Sequence, residues 1–534
     1  MNYVELHCKT NFSFLEGASH AHELVDRARE LGYGGLAVTD RDTLAGIVRA
    51  HTAAKDAGLP FIVGCELNPI DGPPVVVWPI DRQGYGDLCR VLSIGRLRGP
   101  KGTCELSWHD IAGYSQRWIS GLTMRLPMSL VSPVSGPVAS SPTRASRSDS
   151  APVTSMACPA DSLTFQVEPI VKTPWCSAGV DFDVLENDPW LEWLTQYREL
   201  MGDRGYLLCH LRAGLDDTGT LQRYLKFARD ASLSLVAAGD VLYHHPERML
   251  LQDCLSAIAS GTTIDQVARF RNRNAMLAMR SLDEVKHRYR LCPEAIAKTS
   301  EIASRIAFSL DSLRYEYPRE WSPDGLSPIE YLKQLTWSGA KERYPRGVPL
   351  RVVEMLKHEV NLIEDLQYES YFLTVWDLVR FARSRGILCQ GRGSAANSAV
   401  CFCLGITSVD PKEYDLLFER FISRERNEAP DIDIDFEHQR REEVIQYVYE
   451  KYGRHRAGMT AAVTTYRTRS AVRECAKAIG LSQDHIDGLS QIIEGRSGTE
   501  SLAVRCRQVG LDPESEVGKR FLYLVESKFL NYIS

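Results

Sequence analysis

The run Ala429-Pro430-Asp431-Ile432-Asp433-Ile434-Asp435-Phe436 constrains this chain more than any other. Its period of two is that of a β-strand, which sets Asp431, Asp433 and Asp435 on one face and Ile432, Ile434 and Phe436 on the other. Three carboxylates on one face repel each other, and burial steepens the cost, so a compensating cation is expected. Hard divalent ions such as Mg²⁺, shared between one or two carboxylates and substrate phosphates, fill that role. Two such ions side by side can activate an attacking oxygen and stabilise a leaving one. The plainer alternative is a solvated acidic edge strand, which discourages aggregation.

Upstream, an apolar segment Gly386-Ile387-Leu388-Cys389-Gln390 reads as a strand running into Gly391-Arg392-Gly393-Ser394-Ala395-Ala396-Asn397-Ser398. A glycine-serine turn between a strand and a helix-forming run lets backbone N–H groups approach phosphate oxygens, and a simple βα turn has the same composition. Arg420, Arg424 and Arg426 add fixed positive charge ahead of the aspartates, or serve as surface ion-pair partners. Residues 451 to 477 hold seven Lys or Arg against one acid, Glu474. Arg469, Arg473 and Lys477 recur every four residues, a stripe suited either to solvent or to a phosphate backbone.

At 534 residues the chain is too long for one core, so two to four domains are expected. A formal charge of −6 argues against a uniformly basic nucleic-acid wrapper and leaves room for local basic faces. No basic n-region followed by an apolar run opens the sequence and no stretch approaches the ~20 apolar residues of a membrane span, so a cytoplasmic protein is expected. The 14 cysteines include no CxxC pair, which points to reduced, buried thiols rather than zinc or disulfides.

The first hundred residues alternate strand-like runs (Tyr3 to His7, Leu36 to Thr39, Phe61 to Val63) with helical ones (Ala21 to Leu31, Leu44 to Ala57), the rhythm of a βα domain. Residues 121 to 180 turn abruptly Ser-, Pro- and Thr-rich, a composition that favours disorder. Patterning resumes near Trp190, with strands at Tyr206 to Cys209 and Leu233 to Ala238 around a helix at Thr220 to Ala231. The first domain thus reads as interrupted and then completed. From about residue 285 the chain is mostly helical, as in Val352 to Leu366 and Tyr371 to Arg385.

Three ordered motifs, Gln390 to Ser398, Leu417-Phe418-Glu419-Arg420-Phe421-Ile422 and Pro430 to Phe436, resemble the catalytic region of bacterial C-family DNA polymerases of the polymerase III alpha type. Asn397 and the run Leu313-Arg314-Tyr315-Glu316-Tyr317-Pro318 resemble the error-prone branch. The resemblance implies an α/β and α+β multidomain chain with a polymerase-beta-like nucleotidyltransferase palm at 286–462 and part of a helical thumb at 463–534. It implies Asp431 and Asp433 as catalytic ligands of two Mg²⁺ ions, with Asp435 either supporting those ligands from behind or structural. Gly391, Arg392, Gly393, Ser394 and Arg426 would bind nucleotide, and Arg467, Arg469, Arg473 and Lys477 would contact DNA. Implied partners are primer-template DNA, deoxynucleoside triphosphates, a sliding clamp and accessory mutagenesis proteins, in damage-induced translesion synthesis.

Glu5-Leu6-His7-Cys8-Lys9-Thr10, Val38-Thr39-Asp40-Arg41-Asp42 and Gly64-Cys65-Glu66-Leu67 resemble the polymerase and histidinol phosphatase (PHP) domain, a (βα)-barrel that in active members holds a metal cluster. It would occupy residues 1–120 and 190–285. Lys9, Arg41 and Leu242 stand where the resemblance leads one to expect histidines. His7, Asp40, Glu66 and Asp240 remain candidate ligands, with His244 and His245 nearby. Cations in place of ligands disfavour a metal, so a structural domain without metal or proofreading is expected.

The non-family segment at 121–189 suggests either a compensated frameshift or a disordered insertion. The family's third catalytic aspartate lies beyond Ser534, so the fragment alone is expected to be inactive. Two other readings remain open: a non-catalytic truncated product that binds DNA or a partner, and a PHP-type metal phosphoesterase.

Overall fold

The computed structural model describes residues 3–124, 189–213, 217–267, 274–313, 322–323, 325–414, 418, 421–422, 431–494 and 501–525. The expected positions Arg420, Arg424 and Arg426, most of Leu313 to Pro318 and nearly all of the Ser/Pro-rich segment lie outside them. The chain divides into two compact units, residues 1–313 with 463–534, and residues 314–462.

The first unit is mixed α/β. Strands β1 (Val4–Glu5), β2 (Gly35–Val38) and β3 (Phe61–Val63) form a parallel sheet in that order. Strands β4 (Cys65–Leu67), β5 (Val75–Pro79), β6 (Trp118–Thr123), β7 (Gly205–Cys209) and β8 (Ser234–Ala237) form a second sheet, antiparallel through β6 and parallel beyond it. Parallel bridges pair Cys8 with Val241 and Arg41 with Glu66. The strands are almost wholly buried, because each sheet is apolar on both faces. Leu24, Leu36, Trp118 and Leu207 belong to one core, and Leu6, Trp78, Leu208 and Val236 to another.

Helix Ala21–Glu30 buries Ala21, Leu24, Val25 and Ala28, the spacing of a single helical face. The expected helix from Leu44 begins only at Ile47. Although residues 125–188 intervene in sequence, β6 and β7 are neighbours, with Ser120 opposite Gly205 and Thr123 opposite Leu208.

Helices Thr468–Ile479, Gln483–Glu494, Leu502–Gln508 and Glu516–Leu524 belong to this same unit. Ala471, Val472, Cys475 and Phe521 pack with Leu251, Cys254 and Leu255 of helix Met249–Ser260 in one apolar cluster. Ile264 N–H donates to the Ala478 carbonyl at 2.8 Å.

The second unit is helical around a two-stranded antiparallel ribbon. Helices Pro328–Arg343, Leu350–Asp365 and Glu369–Ser384 enclose the short, fully buried helix Ala399–Cys403. Strand β9 (Cys389–Arg392) pairs with β10 (Asp433–Phe436), with Asp433 opposite Arg392 and Asp435 opposite Gln390. Two expectations shift here. The strand expected at 386–390 forms later, because Gly386 at φ +67° follows the preceding helix and Ile387 N–H closes onto the Ala382 carbonyl. Asp431 precedes its strand rather than lying within it.

Buried Asp377 ties this unit together. Its carboxylate accepts from Lys451 Nζ at 2.8 Å, Arg380 at 2.9 Å and the hydroxyls of Tyr447 and Tyr452 at 2.7 and 3.2 Å. Burial alone would raise the Asp377 carboxyl, but the hydrogen bonds from Lys451, Tyr447 and Arg380 outweigh it and hold the group below the usual range. No helix among the described residues is long and apolar enough to cross a membrane.

Candidate functional site

The β9–β10 ribbon brings the glycine-serine turn against the aspartates. Alternation holds: Asp431, Asp433 and Asp435 are exposed, while Ile432, Ile434 and Phe436 are half-buried. Gly393 sits at φ +66°, and a Cβ there would lie 3.3 Å from Asp433 Oδ2, so both backbone and space call for glycine. A Cβ on Gly391 would strike the Ile406 carbonyl at 2.7 Å. Residues Gly393–Asn397 form one 3₁₀ turn, and the Ser394 hydroxyl donates to the Asp431 carbonyl at 3.0 Å. Turn and carboxylate segment are thereby fixed to each other.

The three aspartates are not equivalent. Arg392 Nε forms an ion pair with Asp435, which takes up both the turn's guanidinium and the third carboxylate. Asp431 and Asp433 remain on the exposed face beside Gly393 and Ser394. Tyr371 Oη accepts from Ile432 N–H at 3.1 Å; burial pushes its hydroxyl pKa up, and the charges of Asp431 and Asp433 push the same way. Sequence reasoning passed over Tyr371, whose helical register alone gives no hint of this contact.

In the first unit, His7, Glu66 and Asp240 do converge, with donor atoms within 4.8 Å of one another. Asp40 stands apart: Thr10 N–H, Thr10 Oγ1 and Ser13 Oγ donate to it at 2.7, 2.8 and 2.7 Å. Burial raises the Asp40 carboxyl and those bonds pull it back.

Lys9 enters the convergence. Its buried ammonium lies 3.0 Å from Glu66 Oε2, 3.5 Å from Asp240 Oδ1 and 2.8 Å from Glu16 Oε1. Arg41 reaches Glu16 at 3.1 Å, and Arg212 pairs with Asp240. Against burial, Lys9 and Arg41 hold the Glu16 carboxyl below its usual range. His7 Nε2 lies 2.6 Å from Glu66 Oε2, and its Nδ1 is 3.0 Å from His210 Nε2. Three cations thus face three acids. Glu16, His210 and Arg212 were missed from sequence; only His210, directly after β7, had a positional signal.

On helix Thr468–Ile479, Arg469, Arg473 and Lys477 are all exposed, and Arg467 is its exposed N-cap residue. Arg473 and Lys477 flank Glu474 at 3.1 and 3.2 Å. Positive charge at a helix N-terminus opposes the macrodipole, so the guanidinium charges of Arg467 and Arg469 do not stabilise the helix through it. His244 accepts or donates with Ser19 Oγ at 2.7 Å and lies 3.9 Å from Glu23, away from the His7 group.

Residues 330–528 match the family described as the bacterial DNA polymerase III alpha NTPase domain, and residues 5–141 match the PHP domain. The error-prone DNA polymerase of Rhodopirellula baltica is 52% identical over 529 residues, covering 99% of this chain and 42% of that protein. Those of Methylococcus capsulatus and Brucella abortus are each 42% identical, over 98% of this chain and 44% of theirs. The chain therefore spans less than half the length of these curated relatives. A PHP-domain match followed by a polymerase III alpha-domain match thus stands in one chain that is similar, over nearly its whole length, to the error-prone DNA polymerases of these bacteria.

Proposed function

We propose that this chain carries the triphosphate-binding part of a DNA-directed DNA polymerase, which adds deoxynucleotides to a primer 3′ end. The observation that carries the reading is the Ser394–Asp431 hydrogen bond, which joins the Gly393 turn to the exposed aspartates. Asp431 and Asp433 offer hard oxygen donors on an exposed face, the donor chemistry that Mg²⁺ shares with substrate phosphates. Mg²⁺ bound there would screen the triphosphate and acidify the primer hydroxyl. The chain's own part is positioning: Gly391 and Gly393 let the backbone approach phosphate oxygens, Ser394 fixes the Asp431 segment, and Arg392 neutralises Asp435. Arg426 adds phosphate contact in this reading.

In the same proposal the palm, expected at 286–462, is narrowed to residues 314–462 because Tyr289, Cys292, Ala295 and Ile296 pack in the first unit's core, and 463–534 serve as part of a thumb. Arg467, Arg469, Arg473 and Lys477 contact the phosphates of primer-template DNA. The two sheets of the first unit, bridged at Cys8–Val241 and Arg41–Glu66, are read as a PHP-type barrel. Cytoplasmic translesion synthesis with a sliding clamp and accessory mutagenesis proteins follows from the relatives' name and the resemblance alone.

The first unit's site does not fit a metal. The carboxylates of Glu66 and Asp240 that would ligate it already face the Lys9 ammonium, and His7 Nε2 is committed to Glu66. We read that site as a structural ion-pair node, which sets the phosphoesterase alternative aside.

The test is equilibrium binding of a deoxynucleoside triphosphate to this chain with Mg²⁺. Asp431→Asn with Asp433→Asn is expected to weaken binding at least tenfold and to leave DNA affinity in place. Equal binding by the double variant would overturn the reading.

A further inference from the structure

The phosphate turn ends at a buried acid to which no role has been given. Glu359, on helix Leu350–Asp365, is 1% exposed. Its carboxylate accepts from Ser398 Oγ at 2.8 Å, Ala399 N–H at 2.8 Å and Val400 N–H at 2.9 Å. These donors start helix Ala399–Cys403, immediately after the 3₁₀ turn Gly393–Asn397. Ser398, itself fully buried, also accepts from Cys401 N–H at 3.0 Å and donates its own N–H to the Ala395 carbonyl at 3.1 Å.

Resting on the reading of Gly391–Ser394 as a triphosphate turn, we propose that Glu359 is the positioning residue that sets this turn. Three arguments carry it. Glu359 fixes the turn's exit, while the entry is fixed by Gly391 N–H on the Ile406 carbonyl at 2.7 Å and by the β9–β10 ladder. Asn397 Nδ2 donates to the Ser394 carbonyl at 3.3 Å, so a displacement of Ser398 is passed back to Ser394. Finally, the donors of Ala399 and Val400 are already bound to a carboxylate. The helix start is therefore closed to phosphate, and a triphosphate is left the N–H groups of the turn itself.

The chemistry selects glutamate rather than glutamine. Three donors converge on two carboxylate oxygens, and an amide in the same place would turn its own N–H toward one of them. Glu359 lies about 35 residues before the turn in sequence and touches neither substrate nor metal donor, so its effect is carried through Ser398.

The test is binding of inorganic tripolyphosphate with Mg²⁺ to the full chain, a probe with no base or sugar, measured beside DNA affinity and circular dichroism. Glu359→Gln is expected to weaken tripolyphosphate binding about tenfold, with DNA affinity unchanged. Glu359→Asp, which keeps an acceptor-only group, should recover most of the loss. Ser398→Ala, a milder change, should weaken binding in the same direction by about threefold, and it carries the test if Glu359→Gln fails to fold. Unchanged tripolyphosphate affinity in folded Glu359→Gln or in Ser398→Ala overturns the positioning role and leaves the triphosphate turn standing. Absence of binding by the unmodified chain overturns both.

Discussion

Lys9 Nζ lies 3.0 Å from Glu66 Oε2, and neither side chain is exposed to solvent. A lysine in such a place is held by the carboxylates around it, and they by it. Removing one partner of a buried ion pair leaves the other charge uncompensated, which costs more than the pair itself contributes.

Lys9→Met keeps the length of the side chain and deletes the charge, leaving Glu16, Glu66 and Asp240 without their shared cation. It should lower unfolding free energy by about 3 kcal/mol in urea denaturation. A chelator should leave the melting of the unmodified chain unchanged, because the ammonium already supplies the compensating charge. A melting temperature that falls on chelation would contradict the ion-pair node.

The pairing of Arg392 with Asp435 separates the third aspartate from the other two. Asp433→Asn is expected to weaken Mg²⁺-dependent triphosphate binding about tenfold, the equivalent of ~1.4 kcal/mol. Asp435→Asn should leave it unchanged or strengthen it by releasing the Arg392 guanidinium beside the turn. Titration calorimetry of the two variants distinguishes these outcomes, and equal losses would show that all three acids act alike.

Arg469, Arg473 and Lys477 present one exposed stripe, and the pairing of Arg473 and Lys477 with Glu474 is a surface contact that phosphate can displace. Changing all three to alanine should weaken DNA binding uniformly across sequences. The slope of log affinity against log salt should fall by about 2 to 3, near one per phosphate contact. Fluorescence anisotropy across a salt series measures it; an unchanged slope would return the stripe to solvent.

Arg98 grips Asp110 at 2.7 and 3.0 Å, and Ser107 donates to the same carboxylate at 2.8 Å. Against burial, these bonds hold the Asp110 carboxyl down at about 2. Its folded-state pKa is below the unfolded value, so its stabilisation is full above the ordinary carboxylate range and fades as pH falls toward 2. Asp110→Asn should therefore cost about 1 kcal/mol at pH 7, an exposed-pair magnitude since Arg98 is half in solvent, and progressively less below pH 4. Thermal melts of both proteins from pH 7 to pH 3 follow the difference.

The sequence by itself determined what depends on short periods. The two-residue alternation of Asp431 to Phe436, the helical face of Ala21 to Ala28, the four-residue stripe of Arg469 to Lys477 and the need for glycine at Gly393 were legible because a strand, a helix or a turn imposes them within a few residues. The convergence of His7, Glu66 and Asp240 was legible too, through resemblance. Only the tertiary structure decided how charge is settled. It placed Lys9 among Glu16, Glu66 and Asp240, gave Arg392 to Asp435, held Asp40 on Thr10 and Ser13, and brought Glu359 to the helix start at Ser398. The physical reason is that a buried charge must be compensated wherever the fold puts it. Composition states that requirement, and only packing across distant segments names the partner.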